Sequence, residues 1–220
     1  MERTIRVTGT GEISIKPDLT IINLEFRRVF PSYEETLKAA AQDITIVKKA
    51  LKGIGLGPDS VKTTDFNVGI NYEYYYDENN RSQKRFNGYF CEQSLKIKFD
   101  VDNNLLGKVL YQLAIIDINS EFNIVYGVKD MEKAKNELLA KAIKDSKEKA
   151  KIITESAGVE LGDIVDINYS WLDIEFRTRE YTLARPMMSR SLDTKGRFDI
   201  DIDPDDIKKS DNITVVYQIR

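Results

Sequence analysis

Histidine is absent from this sequence of 220 residues, and cysteine occurs once, at position 91. Without histidine the chain cannot build a Ser-His-Asp or Cys-His nucleophilic site, a histidine-ligated zinc site, or the usual general base near neutral pH. A single thiol also excludes an intrachain disulfide, a thiolate zinc site and an iron–sulfur cluster. Any chemistry would rest on carboxylates, lysine, tyrosine or serine. We therefore predict no cofactor, no metal and no enzymatic activity.

Long apolar runs and strong net charge are lacking as well. No window approaches the roughly 20 apolar residues of a transmembrane helix, so we predict no membrane span. The formal net charge is −3, which provides no overall attraction to nucleic acid. The first residues, MERTIRVTGTGEISI, alternate polar and apolar side chains and lack the apolar segment of a secretory signal. This predicts a cytoplasmic protein, or a periplasmic or extracellular one if the native N-terminus lies further upstream.

Alternation of polar and apolar residues predicts strands at both ends of the chain. Residues 3–16 and 19–29 have strand composition and flank the turn residues Lys16-Pro17-Asp18, which predicts two antiparallel strands joined at the proline. Gly9-Thr10-Gly11 lacks the third glycine and the following helix of a phosphate-binding loop, so a glycine bulge in a strand is expected. Further strands are predicted at 61–76, 85–100, 121–128, 163–176 and 212–219.

Three helices are predicted between these strands. Ser32 and Glu35 form a capping box before a helix of about 22 residues, and a shorter helix is expected at about 104–116. The longest helix, 130–157, has one face of mostly small residues that includes Ala134, Ala142 and Ala150. Small side chains let another backbone approach closely. The face can therefore lie on the chain's own sheet, contact a neighbouring subunit, or do both.

These elements predict an α+β fold with two abutting subdomains of antiparallel strands packed by long helices. We expect one domain over residues 1–220, with subdomains of about 1–100 and 101–220 and an irregular insert at 177–210. Within that insert, Asp199, Asp201 and Asp203 alternate ahead of Asp205 and Asp206. The Asp199–Asp206 run could hold calcium, but it lacks the glycine and distal glutamate of an EF-hand loop, so a solvated acidic loop is favoured.

The most unusual stretch is FNVGINYEYYYDENNRSQKRFNGYFC, residues 66–91. Period-two spacing predicts a long hairpin with a polar tip at 77–85, and its tyrosines are expected to face a sheet neighbour or a covering helix. The mixed charge argues against a nucleic-acid platform. We predict that a partner would contact Tyr75, Arg81, Lys84 and Arg85. By alternation, Tyr75 lies on one face of the first strand, and the other face carries Phe66, Val68, Ile70, Tyr72, Tyr74 and Tyr76.

Several motifs, in this order, resemble those of the SIMPL-domain family, which includes bacterial periplasmic immunogenic and oxidative-stress-defence proteins. They are Val7-x-Gly9-x-Gly11-x-Ile13 through Pro17-Asp18, the end of the first long helix at Ile54-Gly55, Phe86-Asn87-Gly88-Tyr89, Ala157-Gly158-x-x-Leu161-Gly162 and Pro204-Asp205-Asp206-Ile207. The resemblance covers nearly the whole chain. It implies an α+β fold, no known catalytic residues and, in some members, a ring-like or channel-like homo-oligomer.

The leading hypothesis is therefore a non-enzymatic, homo-oligomeric structural or protein-interaction scaffold with a stress-related role. The small face of the long helix, at Ala134, Ala142 and Ala150, is a second candidate contact. The alternative is a ligand-binding module that uses the tyrosine-rich hairpin at 66–91, which requires Tyr72, Tyr74 and Tyr76 to be exposed. A carboxylate-based hydrolase has no supporting motif.

Overall fold

A computed structural model describes residues 3–116, 120–169, 174–182 and 197–220, and it confirms an α+β fold with two antiparallel sheets. The strands are β1 (Thr4–Ile15), β2 (Leu19–Phe30), β3 (Val61–Tyr76), β4 (Ser82–Asp100), β5 (Ser120–Gly127), β6 (Leu161–Asn168), β7 (Tyr181–Thr182) and β8 (Ile207–Ile219). The helices are α1 (Tyr33–Gly53), α2 (Asn103–Ile115) and α3 (Met131–Ala157), with a short 3₁₀ turn at Pro58–Ser60. Within those residues, no helix is both long and apolar enough to cross a membrane.

The chain divides into two compact units that interleave along the sequence. The first contains β1, α3, β6 and β8, and the second contains β2 to β4, α1, α2, most of β5, and β7. The predicted split near residue 100 therefore does not describe these units. The reason is that β1 pairs with the last strand, β8, in register from Thr4–Gln218 to Ile15–Ile207, and not with β2 as predicted. The proline turn passes the chain from one sheet to the other.

In the first unit, α3 lies on the three-stranded sheet β1-β8-β6 through very close backbone contact. A Cβ atom on Gly9 would overlap the carbonyl oxygen of Ala142, and one on Gly11 would overlap that of Leu138. The pairing of β1 is unbroken, so the predicted glycine bulge is wrong. These glycines are needed because they let the helix backbone reach the strand.

Polar contacts fix α3 along the outer edge of β1. The Thr10 amide donates to Asp145 Oδ2 at 2.6 Å, and Lys149 lies 2.7 Å from the same oxygen. The hydrogen bond from Lys149 and that from Thr10 lower the pKa of Asp145. Ser146 and Tyr217 hydroxyls bond at 2.9 Å beneath the helix. Since an exposed strand edge can pair with other chains, Asp145 also protects the edge of β1.

In the second unit, the sheet order is β3-β4-β2-β5-β7. The predicted capping box starts α1, since the Glu35 amide donates to Ser32 Oγ at 3.2 Å. Helices α1 and α2 pack against this sheet and share one core with it. The most buried members of the core include Ile22, Leu24, Val47, Leu51, Leu95, Ile97, Leu106, Val109 and Leu110. Beneath α1, Asp43 is buried and lies 2.7 Å from Arg28 on β2.

The last part of the predicted irregular insert completes this core. Phe198, Ile200 and Ile202 pack against it, and the Phe198 amide donates to the Gly107 carbonyl at 3.1 Å. Asp199, Asp201 and Asp203 alternate with these side chains and are exposed. The acidic run is thus the outer side of a core-forming segment.

Three predicted strand boundaries are wrong. β4 begins at Ser82, three residues before the predicted strand at 85–100, so the last residues of the predicted polar tip at 77–85 are paired with β3. β8 begins at Ile207, five residues before the predicted strand, because its first residues pair with the end of β1. The predicted strand at 163–176 corresponds to β6, which ends at Asn168, and residues 174–176 are not in a strand. Residues 170–173, together with 183–196 of the predicted insert, lie outside the described residues.

Candidate interaction surface

The stretch 66–91 is the long hairpin that the sequence predicts. β3 and β4 pair from Val61–Ile97 out to Tyr76–Ser82. The register shifts between Ile70 and Tyr72, where two residues of β4, Asn87 and Gly88, face one residue of β3. Gly88 has φ of +88°, and a Cβ there would overlap the Phe30 carbonyl oxygen. This bulge lies where β2 ends, so the distal part of the hairpin continues as a two-stranded ribbon.

Most aromatic side chains of the hairpin share one face, and Tyr75 is an exception. Residues directly opposite each other in an antiparallel pair lie on the same side of the sheet. Tyr72 pairs with Phe86, and Ile70 pairs with Tyr89, whose carbonyl accepts a hydrogen bond from Thr36 of α1. This face is therefore the one that α1 covers nearer the base. We call its exposed members the aromatic stripe: Phe66, Ile70, Tyr72, Tyr74, Tyr76 and Phe86.

No element of the described chain covers the stripe. Its side chains are between 42% and 73% exposed, whereas Leu95 and Ile97 on the same strand pair are fully buried. The difference arises because α1 begins only at Tyr33. The Tyr33 ring packs edge-on against Tyr89 at 5.6 Å, and Tyr89 packs likewise against Phe86 at 5.4 Å. The covered core face thus continues into an uncovered aromatic one, contrary to the expectation of a covering helix.

The opposite face of the ribbon is polar and internally paired. Arg85 lies 2.7 Å from Glu73 and also stacks over Tyr75, with 5.7 Å to the ring centroid. Of the predicted contact residues, Tyr75 and Arg85 lie on this face. Lys84 lies on the stripe face, since it pairs with Tyr74 and stands 4.8 Å from the Tyr72 ring centroid.

The tip of the hairpin is a tight turn organised by one carboxylate. Asp77 Oδ1 accepts hydrogen bonds from the amides of Arg81 at 2.9 Å and Asn79 at 3.0 Å. Its second oxygen accepts one from the Gln83 side chain. Hydrogen bonds from Arg81, Gln83 and Asn79 lower the pKa of Asp77. Asn80, with φ of +58°, occupies the left-handed position that asparagine tolerates. The predicted contact residue Arg81 belongs to this turn and is exposed.

The structure brings the small residues of α3 to the chain's own sheet. Ala134, Ala142 and Ala150 are each at most 4% exposed, in clusters with β1 and β8 residues such as Val7, Ile13 and Val215. Of the two interpretations of this face, the intrachain one is what the structure shows. These three side chains are not available to another subunit.

A polar groove on the sheet of the second unit was not predicted from the sequence. It has a volume of about 510 Å³ and is lined by residues that include Glu25, Asp65, Glu92 and Glu121. Glu92 is paired with Arg27 at 2.8 Å. Only knowledge of the pairing register between the strands could have indicated this groove, because these side chains come from four different strands. Among the residues that the structure describes, including the Asp199–Asp206 run, no acidic cluster could hold a metal ion.

Comparison with known proteins places these features in a family. The chain is 29% identical to the 26 kDa periplasmic immunogenic protein of Brucella melitensis, over 164 residues that make up 74% of the chain. Its counterpart from Brucella abortus is 28% identical over an equal length. The chain spans 65% of the length of these relatives, and neither name is that of an enzyme. A family model described as "SIMPL: Protein of unknown function (DUF541)" matches residues 5–217, so the chain belongs to the SIMPL family.

Proposed function

We propose that this protein is a non-enzymatic scaffold that assembles with copies of itself and that the aromatic stripe is its contact surface. The observation that supports this most directly is the exposure of three tyrosines, two phenylalanines and an isoleucine along one face of the β3–β4 hairpin. Large contiguous apolar patches on soluble proteins usually mark interaction sites. An isolated two-stranded hairpin is also only marginally stable in water, so a partner that covers one face would stabilise it.

The size of the stripe supports a stable contact. Aromatic side chains bury roughly 150–250 Å² each, so the exposed fractions of its five aromatic residues leave about 400–700 Å² available. Two such surfaces would bury about 900–1,400 Å², which reaches the ~1,000 Å² expected of a biological interface. Tyrosine and phenylalanine are also the residue types enriched at such contacts.

The names of the relatives support a location for this scaffold. Both are described as periplasmic, and the proposal for this chain is likewise a periplasmic one, with a stress-related role as its broadest physiological context.

The proposal is tested by light scattering after gel filtration, over a range of concentrations. Wild type is expected to be larger than the 25.2 kDa monomer. Changing Tyr72, Tyr74 and Tyr76 together to Thr removes most of the stripe but keeps strand propensity, so the variant is expected to be monomeric. The matched control changes Asn71, Glu73 and Tyr75 to Thr on the opposite face and is expected to assemble. A monomeric wild type at every concentration would refute the scaffold.

A second candidate function is a ligand-binding module on the same ribbon. The exposure of Tyr72, Tyr74 and Tyr76 meets the condition that this hypothesis sets. It predicts a monomer whose tyrosine fluorescence changes when a ligand binds. A monomeric wild type in the scattering experiment would favour this function over the scaffold.

A further inference from the structure

We infer that the aromatic stripe of one copy is covered by the aromatic stripe of a second copy, with the two ribbons face to face and antiparallel about a two-fold axis near Tyr72. The inference rests on the proposed function, because it names the partner and the geometry of the same surface. In this arrangement Tyr72 meets Tyr72 of the other copy, and Tyr74 and Tyr76 of one copy lie over Ile70 and Val68 of the other.

Charge favours a like surface as the partner. Among the strand residues, the stripe face carries one charged side chain, Lys84, and no carboxylate. The charges of Glu73 and Arg85 lie on the opposite face, where they form an ion pair with each other. Apart from Lys84, the stripe face therefore offers no charge that would attract an oppositely charged patch of a different protein, while aromatic surface packs well against aromatic surface.

Lys84 also selects the orientation. In a parallel pair of ribbons, the Lys84 side chains of the two copies would lie side by side, and like charges directly opposite are destabilising. In the antiparallel pair, each Lys84 instead lies near Ile70 and Tyr89 of the other copy, because Lys84 pairs with Tyr74 and Tyr89 pairs with Ile70. Neither neighbour is charged. Each ammonium group can also keep its place over the Tyr72 ring of its own chain.

The start of α1 gives the surface a shape that fits a second ribbon. The helix lies on the stripe side of the sheet and begins at Tyr33, so it forms a step at the base of the ribbon. Tyr33 and Leu37 on this step are 52% and 37% exposed. Face-to-face sheets pack about 10 Å apart, as adjacent layers do in sandwiches. An antiparallel second ribbon would lie along the stripe with its tip towards these two side chains.

Cross-linking between cysteine variants tests this geometry. Tyr72→Cys places a thiol beside the two-fold axis, and Glu73→Cys places one at the next residue on the opposite face. A short bismaleimide is expected to give covalent dimers several-fold faster with Tyr72→Cys than with Glu73→Cys. The native Cys91 is 3% exposed, so wild type serves as the background. Phe86→Cys against Arg85→Cys repeats the test on β4 in case Tyr72→Cys weakens assembly.

A mixed sample tests the orientation. Tyr76→Cys chains are expected to cross-link to differently tagged Val68→Cys chains and not to one another, and a Tyr76–Tyr76 product would overturn the antiparallel arrangement. If light scattering shows an oligomer but polar-face variants cross-link as fast as stripe variants, or no stripe variant cross-links, the pairing is wrong and the scaffold stands. A wild type that stays monomeric would overturn both.

Discussion

The pairs β1–β8 and β3–β4 are both long, antiparallel and patterned with period two, yet one has a covered face and the other ends in an open one. Ile213, Val215 and Tyr217 of β8 are at most 2% exposed beneath α3, whereas Tyr74 and Tyr76 of β3 are more than 70% exposed. The covered pair contributes Gly9 and Gly11 where the helix backbone arrives. The open pair presents bulky rings instead, and among the described residues α1, which begins at Tyr33, does not extend over them.

The difference shows two ways of treating an apolar strand face. Close helix packing needs small residues on both sides, and the glycines of β1 meet Ala142 and Ser146 of α3. Aromatic rings instead hold a partner at the larger distance that side-chain packing requires. The first arrangement completes a unit within one chain, and the second leaves a surface for another chain, which is the basis of the proposed assembly.

The largest expected effect comes from adding a side chain to β1 at a position where the backbone of α3 lies against the strand. Gly9→Val would place side-chain atoms in the backbone of Ala142 and Ser146, which cannot retreat as a flexible side chain would. We expect the free energy of unfolding to fall by about 3 kcal/mol or more, as in severe overpacking. Urea denaturation followed by circular dichroism measures it.

Gly53→Ala is the matched control for that substitution. A Cβ on Gly53, in the last turn of α1, meets nothing within 4 Å. Alanine should therefore leave stability unchanged or raise it by up to about 1 kcal/mol, because glycine is unfavourable in a helix. If Gly9→Val proved as stable as Gly53→Ala, the close contact between β1 and α3 would be wrong.

A substitution at the buried base of the β3–β4 hairpin should have an intermediate effect on the free energy of unfolding, larger than that of a substitution on its exposed ribbon. Leu95→Ala removes a fully buried side chain and should lower the free energy of unfolding by about 2–5 kcal/mol. Tyr74→Thr, on the exposed ribbon, should change it by less than about 0.5 kcal/mol when measured at concentrations where the protein is monomeric. Similar losses from both substitutions would mean that the stripe is already covered within one chain.

The fold was largely predictable from local pattern. Alternation identified seven of the strand regions. The capping residue Ser32 marked the start of α1, and Gly158 marked the end of α3. The pairing of β1 with β8 was not predictable, because a proline turn favours adjacent strands and nothing local marks a partner 200 residues away. For the same reason, Gly9 and Gly11 suggested a bulge, although a helix from the middle of the chain requires them.

The candidate surface was predictable in position but not in extent. Period two placed Tyr72, Tyr74 and Tyr76 on one face, as the structure has them. Their exposure depends on where α1 starts relative to the end of β2, which is a matter of three-dimensional arrangement. The tip alone was therefore expected to meet a partner. Of the four contact residues predicted there, only Lys84 lies on the stripe face of the paired strands.

The smallest expected effect concerns the turn that ends the open hairpin. The hydrogen bonds from Arg81, Gln83 and Asn79 hold the pKa of Asp77 below its ordinary value of 3.8. A carboxyl with a lowered pKa in the folded state stabilises it above the unfolded pKa and loses that effect as pH falls through the folded value. The Arg81 amide resonance in NMR spectra should thus titrate with a midpoint below 3.8, and its exchange with solvent, corrected for the intrinsic rate, should be less protected at the acid end. Asp77→Asn should abolish this titration, and a midpoint at or above 3.8 in wild type would contradict the role of Asp77.

Because the turn lies beyond the stripe, assembly should persist in Asp77→Asn, and its loss would instead place the partner contact at the tip.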